Sequence, residues 1–523
     1  MKVLGIHSFT HDVGVALAID GRIAYAVEEE RLSRNKHHLG IEAEGTPPYR
    51  SLEFVLSEAG LTLDNIDRIV HVGWEGSDYL KMDFAGSRYR AFAKELDPTL
   101  KKTGFISHHL AHAASAYFSS GFSRALVLSI DGVGDFVSTS LWLGEGGALK
   151  KIDQYMLEDS IGFLYSKASR LLGLGKFGYG EGKMTALAAY GHRLKDFPNI
   201  ISLENGRYSV RQDYPAIFQP FERANPDLPF TQEQKDFAAT IQLLLEETVE
   251  YILDAARKKY PEENLVMSGG VALNCRMNGR LSRIPWVKSM FIMPGANDAG
   301  VCIGAAYLGS QETGDKPQKF SSIYIGPDID HSMLEEYVLR NQLNAIRVDD
   351  PSAVAVSLLV EGNTIAWVQG RLEFGPRALG HRSLLGDPRS IRVRDRLNEI
   401  KQRESWRPVA PAIIVSNKEY CDYNQGTEFM TKAIPMSALA REEIPGGIHI
   451  DGTARVQMVK DVQDSFYQLI LAFEEKTGIP AVLNTSLNAR DEPLCTSIDD
   501  AVRFYYTTPT DHLIIGNWWL RKK

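Results

Sequence analysis

The sequence predicts an α/β protein of two domains, and three observations carry that prediction. The chain has 523 residues, more than one hydrophobic core ordinarily supports. Its opening reads as a β-meander. Further along, short apolar runs end in Asp-Gly or Gly-Gly and lead into helix-patterned segments, as strand-to-helix joins do.

Strands are expected at Lys2–Gly5 and Gly14–Ile19, then a turn at Gly21 and a third strand over Arg22–Val27. The loop Ile6-His7-Ser8-Phe9-Thr10-His11-Asp12 joins the first two, a place where a small-residue loop suits a nucleotide phosphate. A helical stretch near Ser51–Ala59 precedes Ser107-His108-His109-Leu110-Ala111-His112, with Ser107 as its N-cap. The strand Ala125–Ile130 stops at Asp131-Gly132. Phe237, Ile241, Leu244, Leu245, Val249 and Ile252 recur at helical spacing and predict a long scaffold helix. Leu265–Ser268 runs into Gly269-Gly270, and Met293–Asp298 leads into a helix of small residues; strand, glycine turn and helix N-terminus together favour anions.

Between Gly309 and Ser322 the composition turns to Gln, Asp, Lys, Pro and Ser, which marks a linker, and Asp349–Ser352 is a second candidate. The domains are expected at 1–345 and 346–523. Beyond the linker, Gly370–Arg407 is rich in arginine and turn residues. A helix over Asp464–Thr477 ends at Gly478, and the strand Ala481–Leu483 delivers Asn484-Thr485-Ser486.

Composition excludes several classes. Hydrophobic residues at 44% and charged residues at 24% fit a chain that folds throughout. No run is long and apolar enough to span a bilayer and the N-terminus lacks a signal-peptide pattern, so a cytoplasmic protein is expected. Cys275, Cys302, Cys421 and Cys495 form no CxxC pair and predict neither a disulfide framework nor a thiolate zinc site. A formal charge of -8 offers no global attraction for nucleic acid or anionic membranes, so any anion site must be local.

Four constellations could carry chemistry. His108 and His112, four apart on a helix, can grip one metal ion, with Asp131 and Asp298 at strand ends completing the shell. Two imidazoles and two carboxylates suit iron, manganese, zinc or cobalt alike. Ser268-Gly269-Gly270-Val271-Ala272-Leu273-Asn274 places glycines where backbone must approach a ligand, with the Asn274 amide able to meet a ribose or base edge. Phe177-Gly178-Tyr179-Gly180-Glu181-Gly182-Lys183-Met184 interleaves glycine with one acid and one base, and nucleotide contact through Glu181 and Lys183 is expected. Arg377, Arg382, Lys401, Arg403, Arg407 and Arg455 cluster in a net-acidic chain; guanidinium forks pair with phosphate oxygens, so they predict a small phosphate pocket.

Together, His11-Asp12, HHLAH, EGKM, the Gly-Gly-Val-Ala-Leu-Asn turn, FGPRALGHRS, Trp-Arg-Pro, DGTARVQ and NTSLN resemble the nodulation and antibiotic O-carbamoyltransferases, with motifs spanning His11 to Asn488. The resemblance implies an actin-like N-terminal domain, similar to tRNA threonylcarbamoyl transferase, joined to an α/β domain similar to threonylcarbamoyl-AMP synthase. It implies that carbamoyl phosphate and ATP form a carbamoyl-adenylate in the second domain and that the first transfers the carbamoyl group to a hydroxyl of a natural-product acceptor. By motif match, Arg377, Lys401, Arg407, Arg455, Asn484 and Ser486 would hold carbamoyl phosphate and ATP. His108, His112, Asp131 and Asp298 would form a metal site of iron type, with Mg2+ accompanying ATP. Gly269, Gly270 and Asn274 would contact the adenylate, and His11 would take the acceptor's proton, as a base of near-neutral pKa should. Homodimerisation is implied by the resemblance alone. Leu487, Asp491 and His381 depart from the family's usual Phe, Gly and Asn.

Rival readings are an actin-fold small-molecule kinase, which leaves the histidine pair and the C-terminal arginines unexplained, a tRNA-modifying enzyme, which the acidic charge opposes, and a non-catalytic nucleotide sensor.

Overall fold

The computed structural model describes all residues except 42, 44, 74–84, 176–178, 417, 423–426 and 523, together with the backbone only of 85–87. The chain divides into two compact units: Met1–Glu29 with His37–Ser321, and Glu30–Lys36 with Ser322–Lys523.

The first unit contains two five-stranded sheets. One comprises β1 (Lys2–His7), β2 (Gly14–Ile19), β3 (Arg22–Glu28), β4 (Arg68–Val72) and β5 (Thr103–Ile106), in the order β3-β2-β1-β4-β5. β1 pairs antiparallel with β2, from Lys2↔Ile19 to His7↔Gly14, and parallel with β4. The other comprises β6 (Arg124–Gly134), β7 (Val137–Glu145), β8 (Ala148–Met156), β9 (Asn264–Ser268) and β10 (Ser289–Ile292), in the order β10-β9-β6-β7-β8. Here β6 pairs antiparallel with β7 and parallel with β9. Each sheet is thus a three-stranded meander with two parallel strands added beside its first strand, a repeat that the sequence does not betray. This duplicated topology is the actin-like arrangement.

Central strands bury both faces, which explains why β1 and the start of β6 read as continuous apolar runs. Two helices cross the interior: α1 (His108–Ser120) and, farther on, the small-residue helix Val301–Glu312, here α2. A Cβ at Gly304 of α2 would overlap the Ala111 carbonyl of α1, so only glycine permits this approach. That approach matters because α1 carries the histidine pair and α2 follows directly on Asp298.

The second unit is a mixed eight-stranded sheet. In chain order its strands are β11 (Ala345–Arg347), β12 (Ile365–Val368), β13 (Arg382–Gly386), β14 (Ala410–Ile413), β15 (Gln457–Met458), β16 (Ala481–Ser486), β17 (His512–Ile515) and β18 (Trp518–Arg521). Their spatial order is β11-β18-β17-β12-β13-β16-β14-β15. Alternation along β12 sends Trp367 into one core and Ala366 and Val368 into the other. The second unit begins at Ser322 rather than near residue 346, because Ile329, Leu334 and Val338 pack into the core with Ala366 and Val368. The Glu30–Lys36 segment joins it through Arg34, which donates to the Leu494 and Pro493 carbonyls (2.7 and 3.0 Å) and pairs with Asp500 (3.1 Å).

Candidate active site

The first unit gathers His108, His112, Asp131 and Asp298, whose ligand atoms lie within 4.8 Å of one another. His108 and His112 leave the first turn and a half of α1 on one face. His108 Nε2 is 3.4 Å from both Asp131 Oδ2 and Asp298 Oδ1; His112 Nε2 is 3.3 and 3.5 Å from the same atoms. Each carboxylate is held from behind by its other oxygen. Asp131 Oδ1 accepts from the Gly132 and Gly270 amides (2.8 and 3.1 Å), and Asp298 Oδ2 accepts from Thr10 Oγ1 (3.1 Å). Gly269, at φ +91°, could not carry a Cβ without overlapping the Ile130 carbonyl, and it sets the turn that aims the Gly270 amide at Asp131.

These donors fit a divalent cation. His112 is fully buried, and neither ring nitrogen makes a hydrogen bond although two carboxylate oxygens stand near Nε2. A buried imidazole turned toward converging carboxylates without hydrogen-bond geometry is oriented for a common centre. Burial opposes charge on His108, but Asp298 and Asp131 overcome it and raise its pKa well above the usual histidine value; both carboxyls are correspondingly held low despite their burial. His109, between the two ligands in sequence, faces away: it bonds Ser140 Oγ (3.0 Å) and the Val137 carbonyl (2.8 Å), and burial lowers its pKa to about 3.

His11 lies on the β1–β2 loop, with its ring 41% exposed and Nδ1 3.1 Å from Asp12 Oδ2. Burial opposes its charge, yet Asp298, Asp12 and Asp131 carry its pKa up to about 10, so in the metal-free fold His11 is a cation and not the near-neutral base expected; a divalent ion held by Asp298 and Asp131 would offset two of those three charges and return the ring toward its neutral form. Sequence reasoning missed the residues that hold this loop. His7 bonds the His11 carbonyl (3.1 Å), and Thr10 bonds Asp298. The His7/His11 spacing at the end of β1 was the available signal.

The expected nucleotide segments meet through a polar network. Tyr165 Oη reaches Thr185 Oγ1 (3.0 Å) and donates to Gln242 Oε1 (2.7 Å), and Gln242 exchanges hydrogen bonds with Asn274 (3.1 and 2.9 Å). Asn274 Oδ1 also caps the helix Cys275–Leu281 by accepting from Met277 N (3.0 Å). Its amide is therefore engaged internally rather than turned outward to a ribose. Glu181 accepts from Ser166 Oγ (2.6 Å) and Gly180 N (3.0 Å) at the start of its helix, and Lys183 lies half-buried two residues on. Phe177 and Gly178 of this loop lie outside the described residues.

The second unit brings together most, not all, of the expected cations. Burial and the neighbouring charges of Arg403, Lys36 and Arg407 push the Lys401 pKa well below the usual lysine range. Burial, Arg407 and Arg455 do the same to Arg403; burial and Arg455 depress Arg407 against the pull of Glu404. Such mutual depression means a positive cluster short of negative charge. Arg455 Nε is buried with no hydrogen-bond partner, and Glu404 is 3.8 Å from Arg407 Nη1. Lys401 Nζ donates to Ser486 Oγ (3.0 Å), the Ser486 carbonyl, and Asn488 Oδ1 and O (2.7 and 3.0 Å), which fixes the loop after β16. Asn484 donates to Gln457 Oε1 (2.8 Å), leaving its buried Oδ1 unpartnered. Arg377 lies half-buried in the turn before Leu379.

Arg382 is the exception. It is fully buried, and its guanidinium donates to the carbonyls of Gln369, Gly370 and His381 (2.7, 3.0 and 3.0 Å), so it braces the backbone around β13 instead of offering its fork to an anion. Lys36, which no motif singled out, joins the cluster because its segment belongs to this unit. Inorganic phosphate at about 100 times its dissociation constant is expected to add about 2.7 kcal/mol of stability. Thermal melting should show the upward shift in the wild-type protein, and Arg403→Ala should lose most of it.

No helix among the described residues is long and apolar enough to cross a membrane. Comparison with known proteins agrees with the two-unit division. Residues 2–96 and 89–307 match the family model described as carbamoyltransferase N-terminus, and residues 356–522 match carbamoyltransferase C-terminus. Nodulation protein NolNO of Sinorhizobium fredii is 36% identical over 99% of this chain and 80% of its own length. The 3'-hydroxymethylcephem-O-carbamoyltransferase of Streptomyces clavuligerus is 27% identical, covering 98% of each chain. Among solved structures, the (R)-2-hydroxyglutaryl-CoA dehydratase component A of Acidaminococcus fermentans superimposes with a TM-score of 0.38 at 15% identity, over 60% of this chain and 99% of that one. With both halves of the chain matched and relatives aligned along nearly all of it, the protein belongs to the carbamoyltransferase family and is a transferase enzyme.

Proposed function

We propose that the protein is an O-carbamoyltransferase that activates carbamoyl phosphate with ATP and transfers the carbamoyl group to a hydroxyl of a small natural-product acceptor. The observation that carries this reading is the under-neutralised cluster of Arg403, Arg407 and Arg455 beside Lys401, since a net-acidic protein gathers cations this way to receive an anion. The orphaned Oδ1 of Asn484 offers an acceptor for the carbamoyl NH2 beside them.

In the first half-reaction the cations neutralise the phosphates while water takes the phosphoryl group of carbamoyl phosphate, and the carbamate oxygen left behind attacks the α-phosphorus of ATP and displaces pyrophosphate. Carbamoyl-AMP forms, with phosphate and pyrophosphate released. Positive charge fixed in advance favours the crowded anionic transition state. In the second half-reaction the acceptor oxygen attacks the carbamoyl carbon, the bond to the AMP oxygen breaks, and the acceptor proton passes to His11 Nε2. His108, His112, Asp131 and Asp298 would hold a divalent metal, Fe2+ or a similar ion, which supplies Lewis-acid stabilisation of developing negative charge. The relatives' names supply the acceptor class: one names a cephem hydroxymethyl group, and another is a nodulation protein.

Purified protein given ATP and carbamoyl phosphate without an acceptor is expected to release pyrophosphate, and omission of carbamoyl phosphate should stop it. His11→Asn should retain that release and lose transfer; equal loss of both would remove His11 from its role. Pyrophosphate release that is indifferent to carbamoyl phosphate would overturn the donor assignment.

A further inference from the structure

We infer that Asp12 and His37 are positioning residues for His11, forming a His11–Asp12–His37 bridge in which one carboxylate fixes two imidazole rings; this rests on the reading of His11 as the acceptor's base. Asp12 is 6% exposed, and both its oxygens are engaged. Oδ2 lies 3.1 Å from His11 Nδ1 and Oδ1 lies 2.6 Å from His37 Nδ1. An ionised carboxylate only accepts, so both Nδ1 atoms carry the proton, and the lone pair of a neutral His11 is confined to Nε2. A base oriented in this way presents one nitrogen to the substrate and cannot switch to the other tautomer.

The backbone is built for this contact. Asp12 adopts a left-handed conformation, φ 53°, which turns its carboxylate back across the ring of the residue before it. Only a few side chains, aspartate among them, accept that conformation readily. The loop carrying His11 is also stitched to the segment carrying His37: Gly40 N donates to the Thr10 carbonyl (2.6 Å) and Ile41 N to the Ser8 carbonyl (2.9 Å). A Cβ at Gly40 would come within 2.7 Å of the Phe9 carbonyl, so the two stretches touch backbone to backbone.

His37 does more than donate to Asp12. Its ring stands edge-on to Tyr179, with centroids 4.3 Å apart and planes at 74°. Tyr179 belongs to the glycine-interrupted loop that precedes Glu181. His37 offers its Nδ1–H to one oxygen of Asp12 and leaves the other for His11; without it the carboxylate is free to rotate.

The test uses the full-length protein labelled with 15N-histidine, without nucleotide or acceptor, so its outcome is independent of whether carbamoyl transfer is the reaction. Imidazole protons held by a carboxylate resonate far downfield. At low temperature two such signals are expected, assigned by His11→Asn and His37→Asn. Asp12→Asn should abolish both. His37→Phe should remove its own signal and broaden or shift that of His11, whereas His37→Asn, whose amide can still donate to Asp12, should leave the His11 signal in place. A His11 signal unmoved by His37→Phe, or still present in Asp12→Asn, would overturn the bridge. In turnover, Asp12→Asn and His37→Phe should lower kcat for transfer about tenfold or more with acceptor KM and pyrophosphate release unchanged, while a bridge confirmed by NMR with unchanged kcat would refute its positioning role.

Discussion

Arg455→Ala is expected to lower carbamoyl-phosphate-dependent pyrophosphate release by about 10²- to 10³-fold in kcat/KM, the scale set by removing one preorganised charge-assisted donor from a phosphoryl-transfer site. Arg455 is chosen because its buried Nε makes no hydrogen bond among the described residues, so the change takes nothing from the folded framework that the structure shows. The same substitution should raise thermal stability in the absence of ligand. Arg455 depresses the pKa of both Arg403 and Arg407, which means that the three repel one another in the empty pocket. Opposite movements of activity and stability would mark the cluster as one maintained for its ligand. A variant that loses both together would show that Arg455 braces the fold.

Asp298→Asn is the second. It should reduce divalent-metal affinity by at least about 100-fold, since it removes a charged ligand and disturbs the Thr10 contact behind it. Transfer should fall with it while pyrophosphate release in the other unit persists. Metal titration of the wild-type protein should also depend on pH. The His108 pKa is raised in the metal-free fold, so a bound ion must displace its proton, and affinity should rise about tenfold per pH unit until that pKa is passed. For metal-free protein the sign runs the other way. The His108 ion pairs stabilise fully below the unfolded histidine value of 6.5 and are lost as pH rises through the elevated pKa. Asp131 and Asp298 contribute above their unfolded value of 3.8 and lose it on acidification. Calorimetry across pH, with and without metal, reads both.

Local periodicity made the gathering of His108, His112, Asp131 and Asp298 legible. HxxxH at the start of a helix fixes two side chains on one face, although Ser107 at the N-cap makes no side-chain capping bond, and Asp131 and Asp298 advertise themselves by following apolar runs. Arg382 shows where this reasoning stops. Composition sees a cation among turn residues, but only the fold reveals three carbonyls converging on it. Asn274 is ambiguous for a related reason, because an amide suited to a ribose is equally suited to the helix cap it makes here. Lys36 and His37 were silent since their roles depend on which distant segments the chain brings beside them. The repeated sheet order was hidden because topology leaves no period in sequence when long insertions separate equivalent strands.

The placement of Glu30–Lys36 in the second unit bears on how the chain is made. A ribosome completes these seven residues long before the carbonyls of Pro493 and Leu494 that Arg34 binds, which lie 459 and 460 residues farther along. A fragment cut at Ser322 would therefore be born without the Arg34 bonds to Pro493, Leu494 and Asp500, which only the intact chain, keeping that early peptide at hand, can supply.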